Sequence, residues 1–185
     1  MSLIKIYNVD AWQHIAGMTA DSVECVITDP DYKLQMTDVM MQELRRVCSG
    51  HIVMFSAPEN PFFKPDEQAY WIKETRTTNV SKHLARFVEI ILIERHGTFF
   101  NADLDWPNYS GVYYDRLLEK RTHEFQKPKS LMERLVAIYC PPGGTVLDPF
   151  FGSGTTLVAA QSLGMNAVGC EINTDHFDRF WRSQR

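Results

Sequence analysis

The sequence has no apolar run near the about 20 residues needed to cross a bilayer. It also has no CxxC pair, no GK[ST] phosphate loop, no internal repeat and no low-complexity tract. These absences set aside a membrane-spanning helix, a zinc ribbon, a P-loop NTPase and a solenoid. The four cysteines, Cys25, Cys48, Cys140 and Cys170, are scattered. They read as reduced thiols, three of them buried in strands or helices, and no metal site is expected. Met1-Ser-Leu-Ile-Lys-Ile6 lacks the regions of a signal peptide, so a cytoplasmic location is expected. Positive charge is also scarce: 19 Lys and Arg stand against 23 Asp and Glu, a net charge of -4. That balance counts against a polyanionic partner, which is gripped chiefly by Lys and Arg.

What is present is a soluble composition, 44% apolar and 23% charged, on 185 residues, enough for one well-buried domain and too few for two. The basic residues cluster. Lys73, Arg76, Lys82 and Arg86 face a single Glu74, and Arg116, Lys120, Arg121, Lys127 and Lys129 face Glu119 and Glu124. Each cluster is either a solvated face or a set of phosphate contacts.

Short β-branched runs alternate with helix-like stretches. Strands are predicted at Leu3–Tyr7, Val23–Thr28, His51–Ser56, Ala69–Ile72, Phe87–Glu94, Thr145–Leu147 and Ala167–Cys170. Helical spacing marks Met36–Val47, with Met40, Leu44 and Val47 as its stripe, and Ser130–Tyr139, Gly154–Ser162 and Thr174–Arg182. The alternation predicts an α/β domain over 1–185, its mostly parallel sheet covered by helices on both faces. Residues 97–122, aromatic and broken by Pro107 and Gly111, fit no long element and read as an inserted loop.

Four predicted strands end in or just before an acid: Asp10, Asp29, Asp148 and Glu171. Ligands of open parallel sheets lie outside the carboxyl ends of the strands, so four acids on that edge suit a ligand rich in hydroxyls and amines. Each is also a candidate helix cap. The sharpest local signal is Val146-Leu-Asp-Pro-Phe-Phe-Gly-Ser-Gly-Thr-Thr156, a strand running into a glycine turn that opens a helix. Roughly 20 residues on, Glu171 stands where an acid grips ribose hydroxyls. Leu157 replaces the third glycine of a dinucleotide fingerprint, which leaves a turn for a nucleoside without pyrophosphate. The second signal is Thr28-Asp-Pro-Asp-Tyr32, where Pro30 holds Asp29 extended and Tyr32 offers a flat face.

Over nearly its whole length the chain resembles the DNA amino-methyltransferases of the circularly permuted β group, in which the catalytic motif precedes the cofactor motif. Asp29-Pro-Asp-Tyr32 is similar to their DPPY tetrad, Gln126-Lys-Pro-Lys-Ser-Leu-Met-Glu-Arg134 to their QKP segment and Leu147-Asp-Pro-Phe-Phe-Gly-Ser-Gly-Thr-Thr156 to their cofactor turn. Ile6-Tyr-Asn-Val-Asp10 is similar to their acid-tipped adenine strand. The resemblance implies a Rossmann-like methyltransferase domain with a mixed seven-stranded sheet, S-adenosyl-L-methionine as cofactor and DNA with a flipped base as substrate, in a bacterial or phage-infected cell. It implies catalytic roles for Asp29, Pro30 and Tyr32. Cofactor contacts fall on Asp10, Ala11, Asp29, Lys127, Asp148, Phe150, Gly152, Gly154, Thr155, Glu171 and Ile172. The leading Asp29 is similar to adenine-N6 enzymes; cytosine-N4 or RNA methylation, a protein amide acceptor, and an inactive partner subunit are the alternatives. Residues 97–122 would be a reduced target-recognition segment, or pack a homodimer, with Arg76, Lys82, Arg86 and either Lys120 or Arg121 on phosphate. Asp31 departs from the tetrad's second proline and is expected to slow the reaction rather than abolish it.

Overall fold

The computed structural model describes residues 2–58, 61–73, 88–96, 111–115 and 126–184. Eight strands form one sheet: β1 (Ile4–Tyr7), β2 (Val23–Thr28), β3 (Cys48–Ser56), β4 (Glu67–Lys73), β5 (Val88–Glu94), β6 (Val112–Asp115), β7 (Thr145–Asp148) and β8 (Asn166–Cys170). Five helices are described: α1 (Ala11–Ala16), α2 (Asp38–Val47), α3 (Lys129–Tyr139), α4 (Thr155–Ser162) and α5 (Thr174–Ser183).

The strand order is β1-β8-β7-β2-β3-β5-β4-β6. All neighbours pair in parallel except at β5, which runs antiparallel to both β3 and β4. Chain order leaves β7 towards β8 on one side and β2 towards β3 on the other, so the direction of winding reverses between β7 and β2. That reversal opens a crevice at the carboxyl ends of these two strands. Because β5 is reversed, its first residues, not its last, reach the same edge: Ile90 pairs with Ser56, the end of β3, and Glu89 with Trp71, near the end of β4.

Alternation along the central strands feeds two cores, one on each face. Cys25 and Ile27 of β2 and Val53 and Phe55 of β3 join α3, α4 and Phe180 of α5. Val26, Ile52 and Met54 point the other way and meet Ile15 of α1 and Met41, Leu44 and Val47 of α2. The buried stripe of α2 therefore starts at Met41, one position after the predicted Met40, which is only half-buried. All four cysteines are free and buried, one more than expected. Burial pushes the Cys48 thiol up to about 11 and those of Cys140 and Cys170 to about 12, which leaves them unreactive.

Among the described residues the expected seven strands are eight. The addition, β6, lies inside residues 97–122, which read as a loop because it is only four residues long and its apolar face is one residue, Tyr113. It pairs with β4 on one side, and Asp115 accepts hydrogen bonds from Ser130 Oγ at 2.7 Å and from the Arg134 guanidinium on α3. The rest of that segment lies outside the described residues. The short helix α1 also escaped the periodicity argument, which needs more than six residues to register.

Gly50 lies where β3 starts against β2, beside a register shift between Val23 and Cys25. A Cβ there would stand 2.2 Å from the Glu24 carbonyl oxygen. Gly50→Ala is expected to destabilise the domain by about 1–3 kcal/mol, read from its urea denaturation midpoint.

Candidate active site

The crevice is built from four loop starts. After β7, Phe151–Gly154 makes a tight turn, closed by the Gly154 N–H donating to the Phe151 carbonyl at 2.6 Å. Gly152 and Gly154 hold φ of +48° and +75°, a region that L side chains rarely adopt. Gly154 has a second reason to lack a side chain: a Cβ would overlap the Phe180 ring at 2.1 Å. After β8, Glu171 is buried, and its carboxylate accepts from the Gly152 N–H at 3.0 Å and from the Asn173 N–H at 2.7 Å. It thereby clamps the glycine turn to the loop before α5. Beside it Ile172 is 69% exposed, a large apolar side chain lying open next to the crevice. After β1, Asp10 caps α1, accepting from the Trp12 and Gln13 N–H groups. Trp12 meets Phe150 edge to face at 5.8 Å.

Asp148 is only 2% exposed and orients its surroundings. It accepts from Thr28 Oγ1 at 2.8 Å, which ties β7 to β2, and from the Phe150 N–H at 3.2 Å. Burial raises its pKa to about 6, with the hydrogen bonds of Thr156 and Thr28 pulling the other way.

After β2 stands the tetrad. Pro30 is buried and Asp29 half-buried. The Lys127 ammonium, itself buried, pairs with Asp29 Oδ2 and with Glu89 Oε2 at 3.0 Å. Glu89 Oε2 also accepts from the Tyr32 hydroxyl at 2.8 Å, and Glu89 Oε1 takes the Lys73 ammonium. Burial pushes Asp29 up, Glu89 adds to this and Lys127 opposes it; the carboxyl ends above its usual range. Burial would raise Glu89 too, but Lys127 and Lys73 outweigh it and hold the carboxyl below its usual range. Lys127 is disfavoured by burial yet raised on balance by Asp29 and Glu89, so it stays charged. Tyr32 is pushed far up by burial and the two carboxylates, and stays a phenol. Asp31 is exposed and its carboxylate turns back on the chain, accepting from the Lys33 N–H at 2.9 Å in a local turn.

The sequence-predicted residues thus converge on one edge of the sheet, in two groups. Asp10, Phe150, Gly152, Gly154, Glu171 and Ile172 gather around the glycine turn, with Ala11 and Thr155 buried at the first turns of α1 and α4. Lys127, assigned with the cofactor residues, is committed to Asp29 and Glu89. Glu89 and Lys73 were missed. The signal for Glu89 was a lone carboxylate in the run Val88-Glu-Ile-Ile-Leu-Ile93, since an acid in a buried strand needs a partner. Arg76, Lys82, Arg86, Lys120 and Arg121 lie outside the described residues. Among the described residues no cluster of three or more His, Cys, Asp or Glu is placed to hold a metal ion, and no helix is long and apolar enough to cross a membrane.

Fold and crevice define a Rossmann-like domain whose glycine turn lies beside a buried charge network. The family model described as DNA methylase, of the N6/N4 type, matches residues 36–180, and the chain belongs to that family. It is 42% identical over 60 residues to the type II methyltransferase M1.MboII of Moraxella bovis and 41% identical over 61 residues to M.ScaI of Streptomyces caespitosus. Those stretches cover 32% and 33% of this chain, and 23% and 20% of the relatives. The fold matches M1.HpyAVI, solved with SAM, at a TM-score of 0.76 and 24% identity over 98% of this chain and 100% of that one. It matches the cytosine-N4-specific PvuII DNA methyltransferase at 0.76 and 13% identity, over 98% and 86%.

The raised carboxyl of Asp148 sets a stability window. Its folded pKa of about 6 lies above the ordinary 3.8, so the folded chain binds more protons between those values, and stability falls as pH rises through them. The difference is worth roughly 2–3 kcal/mol. Asp148→Asn is expected to flatten the decline in urea midpoint between these pH values; an unchanged slope would assign the window elsewhere.

Proposed function

We propose that the chain transfers a methyl group from S-adenosylmethionine to the exocyclic amine of a base flipped out of DNA, with adenine N6 as the acceptor. The observation that carries this reading is the Asp29-Pro-Asp-Tyr32 segment standing next to the glycine turn and Glu171 where the winding reverses. The family's DNA methylase description supports the substrate class.

The crevice fits such a cofactor. Its turn is bare enough for close backbone approach, Glu171 offers carboxylate oxygens suited to ribose hydroxyls, and Ile172 with Phe150 gives an apolar border for an adenine. Asp10 and Ala11 flank the pocket, and Asp148, Gly152, Gly154 and Thr155 shape its floor. When bound, S-adenosylmethionine supplies an electrophilic methyl on a sulfonium.

The chain's own residues do the rest. An exocyclic amine is a poor nucleophile because its lone pair is delocalised into the ring. Asp29 and the Pro30 carbonyl accept its two N–H bonds and draw the lone pair out of conjugation. Holding two reactants in attack geometry contributes roughly 7–11 kcal/mol, so a strong base is not needed. As the nitrogen gains its methyl it sheds a proton, which the raised pKa of Asp29 suits that carboxylate to take. Tyr32 stacks on the flipped base, a contact worth about 1–3 kcal/mol. Asp31, exposed and engaged with the Lys33 N–H, leaves both acceptors intact. The leading Asp of the tetrad favours adenine over cytosine.

Incubation with labelled cofactor and mixed-sequence DNA, followed by nucleoside analysis, is expected to yield N6-methyladenine. N4-methylcytosine would move the assignment to the other base, and label on neither would remove the enzyme reading. Asp29→Ala is expected to abolish transfer and leave cofactor affinity within about twofold, because the acceptor it removes acts on the base amine in the transition state. Glu171→Ala is expected to weaken cofactor binding about tenfold by calorimetry, since it deletes charge-assisted bonds.

A further inference from the structure

Glu89 has no place among the residues that touch base or cofactor, yet its carboxylate holds three partners in the crevice. Three partners from three parts of the chain meet on it: Lys73 from the end of β4 on Oε1, and the Tyr32 hydroxyl and the Lys127 ammonium, just before α3, on Oε2. It is 9% exposed, so the carboxylate is desolvated and these bonds are strong.

Two consequences follow for the tetrad. The Tyr32 ring is held at its hydroxyl by Glu89, packs edge to face on Phe62 at 6.3 Å and lies 5.9 Å from the Lys127 ammonium. Its plane is therefore fixed in the absence of a base. Lys127 bridges Glu89 and Asp29, so the position of the Asp29 carboxylate depends on where Glu89 holds that ammonium. Lys127 also lies 4.9 Å from the Phe55 ring centroid and 5.8 Å from that of Trp71, an aromatic floor that leaves it little room.

We propose that Glu89 is a positioning residue for base methylation: it seats Lys127 and the Tyr32 hydroxyl together, so that the stacking face and the Asp29 acceptor stand in their working arrangement when the base arrives. This rests on the reading of Asp29 and Tyr32 as the base-holding residues. Ordering both groups in advance removes that entropic cost from the binding step, which is the general route by which a supporting residue acts on turnover.

The test uses the full chain with DNA and S-adenosylmethionine, comparing wild type, Glu89→Gln, Glu89→Asp and Tyr32→Phe. Glu89→Gln keeps the size and an acceptor but removes the charge that seats Lys127. It is expected to lower kcat about tenfold, the order of a charge-assisted contact, with cofactor affinity unchanged. It should also shift the acid limb of the kcat profile to lower pH. The titratable groups facing Asp29 are Lys127, Glu89, the Tyr32 hydroxyl and, from β7, Asp148; Glu89→Gln deletes one of the two carboxylates beside it and leaves Lys127 wholly to Asp29. Glu89→Asp restores charge and is expected to recover part of kcat and return the limb towards its wild-type position. Tyr32→Phe keeps the ring, loses the tether and is expected to raise KM for DNA about threefold, an ordinary hydrogen bond's effect. Melting temperatures are recorded alongside. If Glu89→Gln loses kcat only in step with its melting temperature and the limb stays in place, Glu89 is structural and the proposal fails. If it keeps wild-type kcat, the proposal fails alone. If wild type labels no base, the methyltransferase reading fails first and takes this proposal with it.

Discussion

One ammonium shared by two carboxylates organises the crevice. Lys127 stands between Asp29 at the end of β2 and Glu89 at the start of β5, and its charge offsets the burial of both carboxylates. Desolvating each ion costs several kcal/mol, and a buried pair survives only when geometry and further hydrogen bonds compensate. Here they do: Lys73 balances the second carboxylate, the Tyr32 hydroxyl satisfies a further lone pair, and aromatic faces border the ammonium. Two negative and two positive groups close on themselves. The cluster ties β2, β4, β5 and the segment before α3 to one another at this edge of the sheet.

The glycine-turn side of the crevice is held by different means. Glu171 and Asp148 accept backbone N–H groups, and these carboxylates therefore define loop shape. Phe180 of α5 occupies the space that Gly154 leaves, so the turn, α4 and α5 pack as one unit beneath the pocket. Backbone hydrogen bonds thus shape one side of the crevice and a closed charge network the other.

The parts most legible in the sequence were those with their own local chemistry. The glycine turn announced itself through Gly152 and Gly154, and the acids at strand ends through the rule that open sheets bind at their carboxyl edge. The long strands and four helices were visible as periodicity, and all seven predicted strands are present, although the described part of β5 begins one residue late, at Val88. What failed to show was non-local. The edge strand β6 exists because β4 and α3 offer it partners, not because Val112–Asp115 has a pattern. The role of Glu89 depends on a reversed strand bringing its amino end to an edge where every other acid arrives at a carboxyl end. Strand direction is a tertiary fact, and a run such as Val88-Glu-Ile-Ile carries no sign of it.

The reversed strand has an architectural corollary. Asp29 and Glu89 are 60 positions apart in the chain, yet only β3 separates their strands, parallel to β2 and antiparallel to β5. Their spacing is set by two ladders of backbone hydrogen bonds, about 4.8 Å per step across the sheet. A slip of one residue in either ladder would turn the acid to the opposite face, where α1 and α2 pack. The separation of the two acids is thus a property of the sheet itself, fixed by the pairing of β3 with its two neighbours.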